Sequence, residues 1–409
     1  MKKIVILGAG CAGTMVANKL RLKLKESEWS ITLIDKDNKH IYQPGLLFLP
    51  FEIYQPEEIV RPRSEFISKG INFVVDEIKN VDLENQKVET LTGSFSYDKI
   101  IVCTGIGIQP DEIDGMMDGW YKDIFDFYSF EGAINLTKAF KKFKGGRLVV
   151  NIAELPIKCP VAPLEFIYLA DWFFTEKGIR DKVEIILVTP LSGAFTKPKA
   201  SAYFSVLAEE KNIKIVPNFD IIEVDAKAKK IIAGQGTEVE YDILVSIPPQ
   251  GGPKFLVESK LAMDISGYVN TDKHTMKAVN HDNMFVLGDV TNIPTSKAGS
   301  VAHFSGDVLV ENFLSEINDE PMRASFDGHS SCFIETGYGK GALIDFNYDY
   351  EPLPGKFPFP GLGPFTLLGE SKANHWGKVL FKWVYWNKLI TGEDMPLASG
   401  MSLAGKLSE

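Results

Sequence analysis

Several things are scarce in this 409-residue sequence, and each scarcity excludes a class of protein. Basic charge is outweighed, with 44 Lys and Arg against 54 Asp and Glu for a net charge of −10. No broad cationic footprint is therefore left for a nucleic-acid backbone. Cysteine is rare at four, with no C-x-x-C spacing, which removes disulfide scaffolds and cysteine-rich metal sites. No run of eighteen apolar residues occurs, so the length criterion gives no transmembrane helix. No export signal is expected either: the apolar stretch 4–7 after Lys2 and Lys3 is cut short by Gly8, Gly10 and Gly13 and predicts a first strand instead. What is present is a long chain, 45% hydrophobic and 24% charged, with material for two or three domains.

Apolar runs at 4–7, 31–34, 100–102, 148–151, 183–188, 243–247 and 284–287 are spaced by helical stretches, the alternation of doubly wound α/β folds. The layout of residues 4–34 recurs at 148–188 without its glycines, which predicts a second nucleotide-fold unit. From about Phe326 the pattern changes to short strands, a Pro/Gly-rich stretch and one aromatic helix. The expected division is an FAD-binding domain over 1–110 and 243–325, a second Rossmann-like domain over 111–242, and a C-terminal domain over 326–409.

Gly8-x-Gly10-x-x-Gly13 closes the first strand and opens a helix, and Asp35 ends the next strand 22 residues later. The turn must be tight, the pyrophosphate must approach the backbone, and the acid must accept ribose hydroxyls, so this spacing predicts a dinucleotide site. Tyr97 to Gly105, ending in Thr104-Gly105, and Phe285 to Asp289, ending in Gly288-Asp289, resemble the two further motifs by which two-dinucleotide-domain flavoproteins hold FAD. That resemblance implies FAD as the occupant, backbone at Ile78 toward the adenine, and Asp289 toward the ribitol. Lys297 and Gly299 stand at the expected start of a helix over 301–313, where positive charge would favour the reduced flavin.

After the second-domain strand, where a nicotinamide cofactor would need another glycine turn, the chain reads Asn151-Ile-Ala-Glu-Leu-Pro-Ile-Lys158-Cys159-Pro160-Val-Ala-Pro163-Leu-Glu165. Prolines and bulky aliphatics make no pyrophosphate cradle, so NAD(P)H has no usual dock. Cys-Pro-x-x-Pro-x-Glu with the aromatic helix after it, together with Ser330-Ser331-Cys332-Phe333-Ile334-Glu335, resembles the sulfide:quinone oxidoreductases and their flavocytochrome c sulfide dehydrogenase relatives over essentially the whole chain. The fold this implies is α/β, with two Rossmann-like dinucleotide-binding domains arranged as in glutathione reductase and a C-terminal membrane- and quinone-binding domain. It further implies a redox pair of Cys159, which takes the sulfide, and Cys332, which lies nearest the flavin. Glu165 is the implied proton carrier beside them, and sulfide is oxidised to polysulfide or sulfur while two electrons pass through FAD to membrane quinone. Cys11 and Cys103 are expected to be filler and core thiols.

Many members of the family it resembles carry a third cysteine and a histidine in the stretch matching 126–131, and neither is found there. FAD is accordingly expected to be non-covalent, and no metal is expected. Residues 372–391 mix Trp376, Trp383 and Trp386 with Lys372, Lys378, Lys382 and Lys388. This pattern suits an amphipathic helix at a bilayer surface, its indoles at headgroup depth and its lysines toward anionic lipid. The apolar segment 357–365 is expected to dip into lipid or wall a quinone entrance, and Phe333, Trp383 and Tyr385 are the candidates to stack on quinone. The expected protein is thus monotopic at a membrane, free to form a homo-oligomer, with sulfide and quinone as its small-molecule partners. Three alternatives stand beside this: a sulfide dehydrogenase flavoprotein feeding a cytochrome c, a type II NADH:quinone oxidoreductase, and a flavin sulfide sensor without turnover.

Overall fold

The computed structural model describes residues 1–359, 361–395 and 398–407. Pro360, within the segment expected to meet lipid, lies outside them.

Two all-parallel five-stranded sheets form the body. The first runs in the order Met284–Val286, Lys99–Val102, Lys2–Leu7, Trp29–Asp35, Ile71–Val75. Its central strand is apolar at every inner position because both faces are covered: Ile4 and Ile6 enter one core, Val5 and Leu7 another. Helix Cys11–Lys23 crosses from the first strand to the second and packs against the long helix Gly299–Ile317. A Cβ at Gly306 would stand 2.6 Å from Met15 Cε, so this glycine permits the close helix approach.

The second sheet has the order Ile124–Phe125, Ile243–Ile247, Gly146–Ile152, Val183–Val188, Ile213–Val216. This moves one expected boundary. Ile243–Ile247 pairs with Gly146–Ile152 at the middle of the second sheet, so the return to the first sheet comes after 247 and is completed at Met284–Val286. The strand is buried along its length, and an apolar run of that kind fits either sheet, which is why periodicity alone misplaced it.

The C-terminal part begins with the hairpin Ser330–Gly337 and Lys340–Phe346. Its two turn residues, Tyr338 and Gly339, have φ of 55° and 67°, the left-handed pair that matches strand twist. Phe365–Leu367 and Gly355–Phe357 extend the sheet. Helix Lys372–Val384 lies across it, started by Ser371, whose hydroxyl accepts from Asn374 N, and ends in a π-helical turn, Tyr385–Leu389. Asn18 of the first helix donates to the Ile390 carbonyl and so ties this end to the first sheet.

Candidate redox site

The glycine turn has the geometry its spacing requires. Gly8 sits at φ +94°, and a Cβ on Gly13 would fall 1.8 Å from the Gly8 carbonyl oxygen, so neither position takes a side chain. Gly10 precedes the helix with no side-chain cap and with open space at its missing Cβ, leaving first-turn amides for an anion. Asp35 Oδ2 accepts from Ala9 N at 2.7 Å and from Arg63 Nη1 at 2.7 Å, which sets the acid at the mouth of the turn. Ile78 starts a small antiparallel strand just after Asp76, whose amide donates to the Asp35 carbonyl. Thr104 Oγ1 is buried without a partner, and Gly105 lies open beside it at φ +64°. Burial raises the Asp289 carboxyl, which faces Lys297 and Lys158. An orphaned hydroxyl, free helix amides and a half-buried acid around one cradle are a donor and acceptor set that fits FAD.

Lys297 lies just before helix Gly299–Ile317. Its ammonium donates to the carbonyls of Asp289 and Thr291 at 2.7 and 2.8 Å and lies over the Tyr268 ring, and burial brings its pKa down to about 8. Its backbone carbonyl accepts from Cys159 N at 2.7 Å.

Cys159 is held in a left-handed conformation, φ 46°, by that bond, by Ala162 N donating to its carbonyl, and by the Tyr128 hydroxyl donating to the same carbonyl at 3.3 Å. Helix Ala162–Glu176 follows at once, Pro163 in its first turn, where a missing amide hydrogen costs nothing. Cys332 lies on the first strand of the C-terminal hairpin with Ser330 Oγ 3.8 Å from its sulfur. Both are thiols. Burial pushes Cys159 up to about 12 and Cys332 up to about 11; each responds to Glu165 and Lys378, and Cys159 also to Cys332. The fold thus brings Cys159, Cys332 and Glu165 together from the second sheet's crossover helix and the C-terminal hairpin.

Glu165 is 1% exposed and pairs with Lys378 at 2.8 Å, a residue from the far C-terminal helix. The ammonium also donates to the Phe333 carbonyl, and Glu165 Oε1 accepts from Glu335 N at 2.8 Å. Burial raises the Glu165 carboxyl; burial opposes the Lys378 charge, yet Glu165 and Cys159 outweigh it and raise that pKa. Glu335 carries His375 Nδ1 at 3.0 Å from its Oε2, and burial pushes its carboxyl up to about 7. Tyr42 and Tyr54 face the same group of charges.

Two expectations about this end are corrected. Lys378 does not reach for lipid: it turns inward, and Lys382 and Lys388 pair with Glu58 and Glu393, so of the four lysines only Lys372 stays exposed without a described ion pair. The reason is helical spacing, since Asn374, Lys378 and Tyr385 share the inner face while Trp376, Leu380 and Trp383 share the outer one. Nor do the three quinone candidates form one stack. Phe333 packs edge-on against Phe365 and Trp383 faces outward, while buried Tyr385 holds His40 Nε2 at 2.7 Å within a cluster of Tyr42, Phe381 and Trp386. Sequence reasoning missed Lys378, Glu335 and His375 as site residues. Glu335 stood in the Cys332 motif, and the i, i+4 spacing from Asn374 was the available signal for Lys378.

The pyridine nucleotide-disulphide oxidoreductase profile matches residues 2–150 and 167–306 of this chain. The mitochondrial sulfide:quinone oxidoreductase of Dictyostelium discoideum is 29% identical over 400 residues, covering 95% of this chain and 86% of the relative. A type II NADH:quinone oxidoreductase of Staphylococcus aureus is 32% identical, covering 87% of this chain and 92% of that one. The solved sulfide:quinone oxidoreductase of Aquifex aeolicus superposes with a TM-score of 0.82 at 20% identity, over 96% of this chain and 92% of that one.

Proposed function

Since the chain belongs to the pyridine nucleotide-disulphide oxidoreductase family, we propose that it works as a sulfide:quinone oxidoreductase, an FAD enzyme that takes two electrons from sulfide and delivers them to quinone. The observation that carries this choice over NADH oxidation is Cys159, seated where a nicotinamide-binding glycine turn would stand and sharing a buried set of charges with Cys332. The glycine turn, Asp35, Thr104-Gly105 and Asp289 would hold FAD, which would supply a two-electron acceptor between sulfide and quinone.

The residues themselves perform sulfur exchange. With the pair oxidised, HS⁻ attacks Cys159: a sulfur–sulfur bond forms there, the Cys159–Cys332 bond breaks, and Cys332 leaves as thiolate. A second sulfide removes the sulfane sulfur as HSS⁻, giving one proton and a Cys159 thiolate. Re-forming the disulfide then releases two electrons, so two HS⁻ yield HSS⁻, H⁺ and two electrons. Lys378 supports the thiolates, since its charge lowers both thiol pKa values against the burial that raises them. Glu165 keeps that ammonium in place.

An outer stripe of the C-terminal helix supports docking on a membrane surface. Trp376, Leu380 and Trp383 are 66, 58 and 55% exposed, and Phe359 and Leu362 stand out nearby in sequence at 63 and 88%. Among the described residues no helix is long and apolar enough to cross a bilayer, so attachment rests on this apolar face. Cys159→Ser and Cys332→Ser are each expected to lose sulfide-dependent quinone reduction by at least about 10²-fold, with Cys11→Ala and Cys103→Ala retaining it. Steady-state assay of the four FAD-loaded variants checks this, and turnover by Cys332→Ser at the wild-type rate would overturn the sulfur relay.

A further inference from the structure

Quinone leaves as quinol only if two protons arrive with the two electrons, and a buried site must import them. We infer that His375 and Glu335 form the proton entry to the quinone site, His375 at the surface and Glu335 inside. This rests on the quinone-reducing reading above.

Phe333 and Glu335 are two apart on one strand, so their side chains leave the same face of the sheet, toward helix Lys372–Val384. The Phe333 ring lies against Gly377, where a Cβ would stand 2.6 Å from it, and the Glu335 carboxylate lies against His375. An aromatic candidate for quinone contact and an acid therefore open onto one helix face, within one turn of each other. His375 is 26% exposed in its side chain, whereas Glu335 is 3% exposed. The pair thus spans from surface to interior, and the next residue of the helix, Trp376, belongs to the outward apolar stripe.

Four ionisable groups face Glu335: His375 and Lys378 from the helix, Glu165 from helix Ala162–Glu176, and Tyr54 from the loop that follows residue 48. Lys378 holds its proton, since its pKa is raised and its donors are committed to Glu165 and the Phe333 carbonyl. Tyr54 is raised as well, by burial first. Glu165 is engaged twice, by Lys378 and by the Glu335 amide. Glu335, at about 7, is matched to giving and regaining a proton near neutrality. Its neutral, donating form is full below that value and disappears as pH rises through it.

The test follows the two half-reactions by anaerobic stopped flow in full-length, FAD-loaded protein, across pH values either side of neutral. Sulfide bleaching of the flavin should change far less in Glu335→Gln and His375→Ala than reoxidation does. Reoxidation by decylubiquinone should slow on the order of 10²-fold in Glu335→Gln and lack the decline above pH about 7 that is expected of wild type. Added imidazole should restore much of the rate to His375→Ala. Wild-type rate and pH profile in Glu335→Gln, or no response of His375→Ala to imidazole, would overturn the entry. Failure of the underlying reading is seen elsewhere, in wild-type flavin that sulfide does not bleach or quinone does not reoxidise.

Discussion

Lys378 and Glu165, 213 residues apart in sequence, meet at 2.8 Å in the interior, with side-chain exposures of 11% and 1%. This one ion pair joins the helix that carries the outward apolar stripe to the helix that begins beside Cys159. Removing one partner strands a buried charge. Lys378→Met is therefore expected to cost about 3–5 kcal/mol of stability, while the double change Glu165→Gln with Lys378→Met costs markedly less. Urea unfolding of the wild type and the two variants, all FAD-loaded, measures this. Equal destabilisation by the single and double variants would show that the pair is not coupled.

The same pair decides how the membrane face has to be tested. Deleting the C-terminal helix would leave Glu165 unpaired, so point changes on the outer stripe are the cleaner probe. Trp376, Leu380 and Trp383 each changed to Ser should remove about 1 kcal/mol of apolar transfer apiece, together on the order of 10²-fold in vesicle partitioning. Sulfide should still bleach the flavin of the triple variant. Co-sedimentation with anionic vesicles at the wild-type level would contradict docking through this stripe.

FAD should leave the polypeptide on acid denaturation. The stretch 126–131, which holds no cysteine, forms the turn between strand Ile124–Phe125 and helix Phe130–Lys142 and that helix's first residues, with Asp126 accepting from the amides of Tyr128 and Ser129 at 2.8 and 2.6 Å. Flavin fluorescence remaining on the protein band of a denaturing gel would contradict this.

Local chemistry made the cradle legible. Gly8, Gly10, Gly13 and Asp35 act within one strand–turn–helix unit, so their spacing carries the geometry, and Cys159 was visible because prolines stood where glycines were required. What stayed hidden was set by packing between distant segments. Lys378 lies among tryptophans in sequence and reads as a surface lysine; only the helix face it occupies, above a hairpin formed some forty residues earlier, turns it inward. Tyr385 was grouped with Trp383 by proximity, yet two residues on a helix point about 200° apart, and it joined His40 instead. The strand Ile243–Ile247 shows the same limit at the level of sheets, since a fully buried run does not say which sheet it completes.

The central claim is that one site connects sulfide to quinone through two cysteines and FAD, and sequential mixing of wild-type protein tests it most directly. Anaerobic sulfide alone should bleach the flavin, and decylubiquinone added second should restore it, with NADH in place of sulfide giving no bleaching. Flavin that NADH reduces and sulfide leaves oxidised would contradict the account and make the protein an NADH:quinone oxidoreductase.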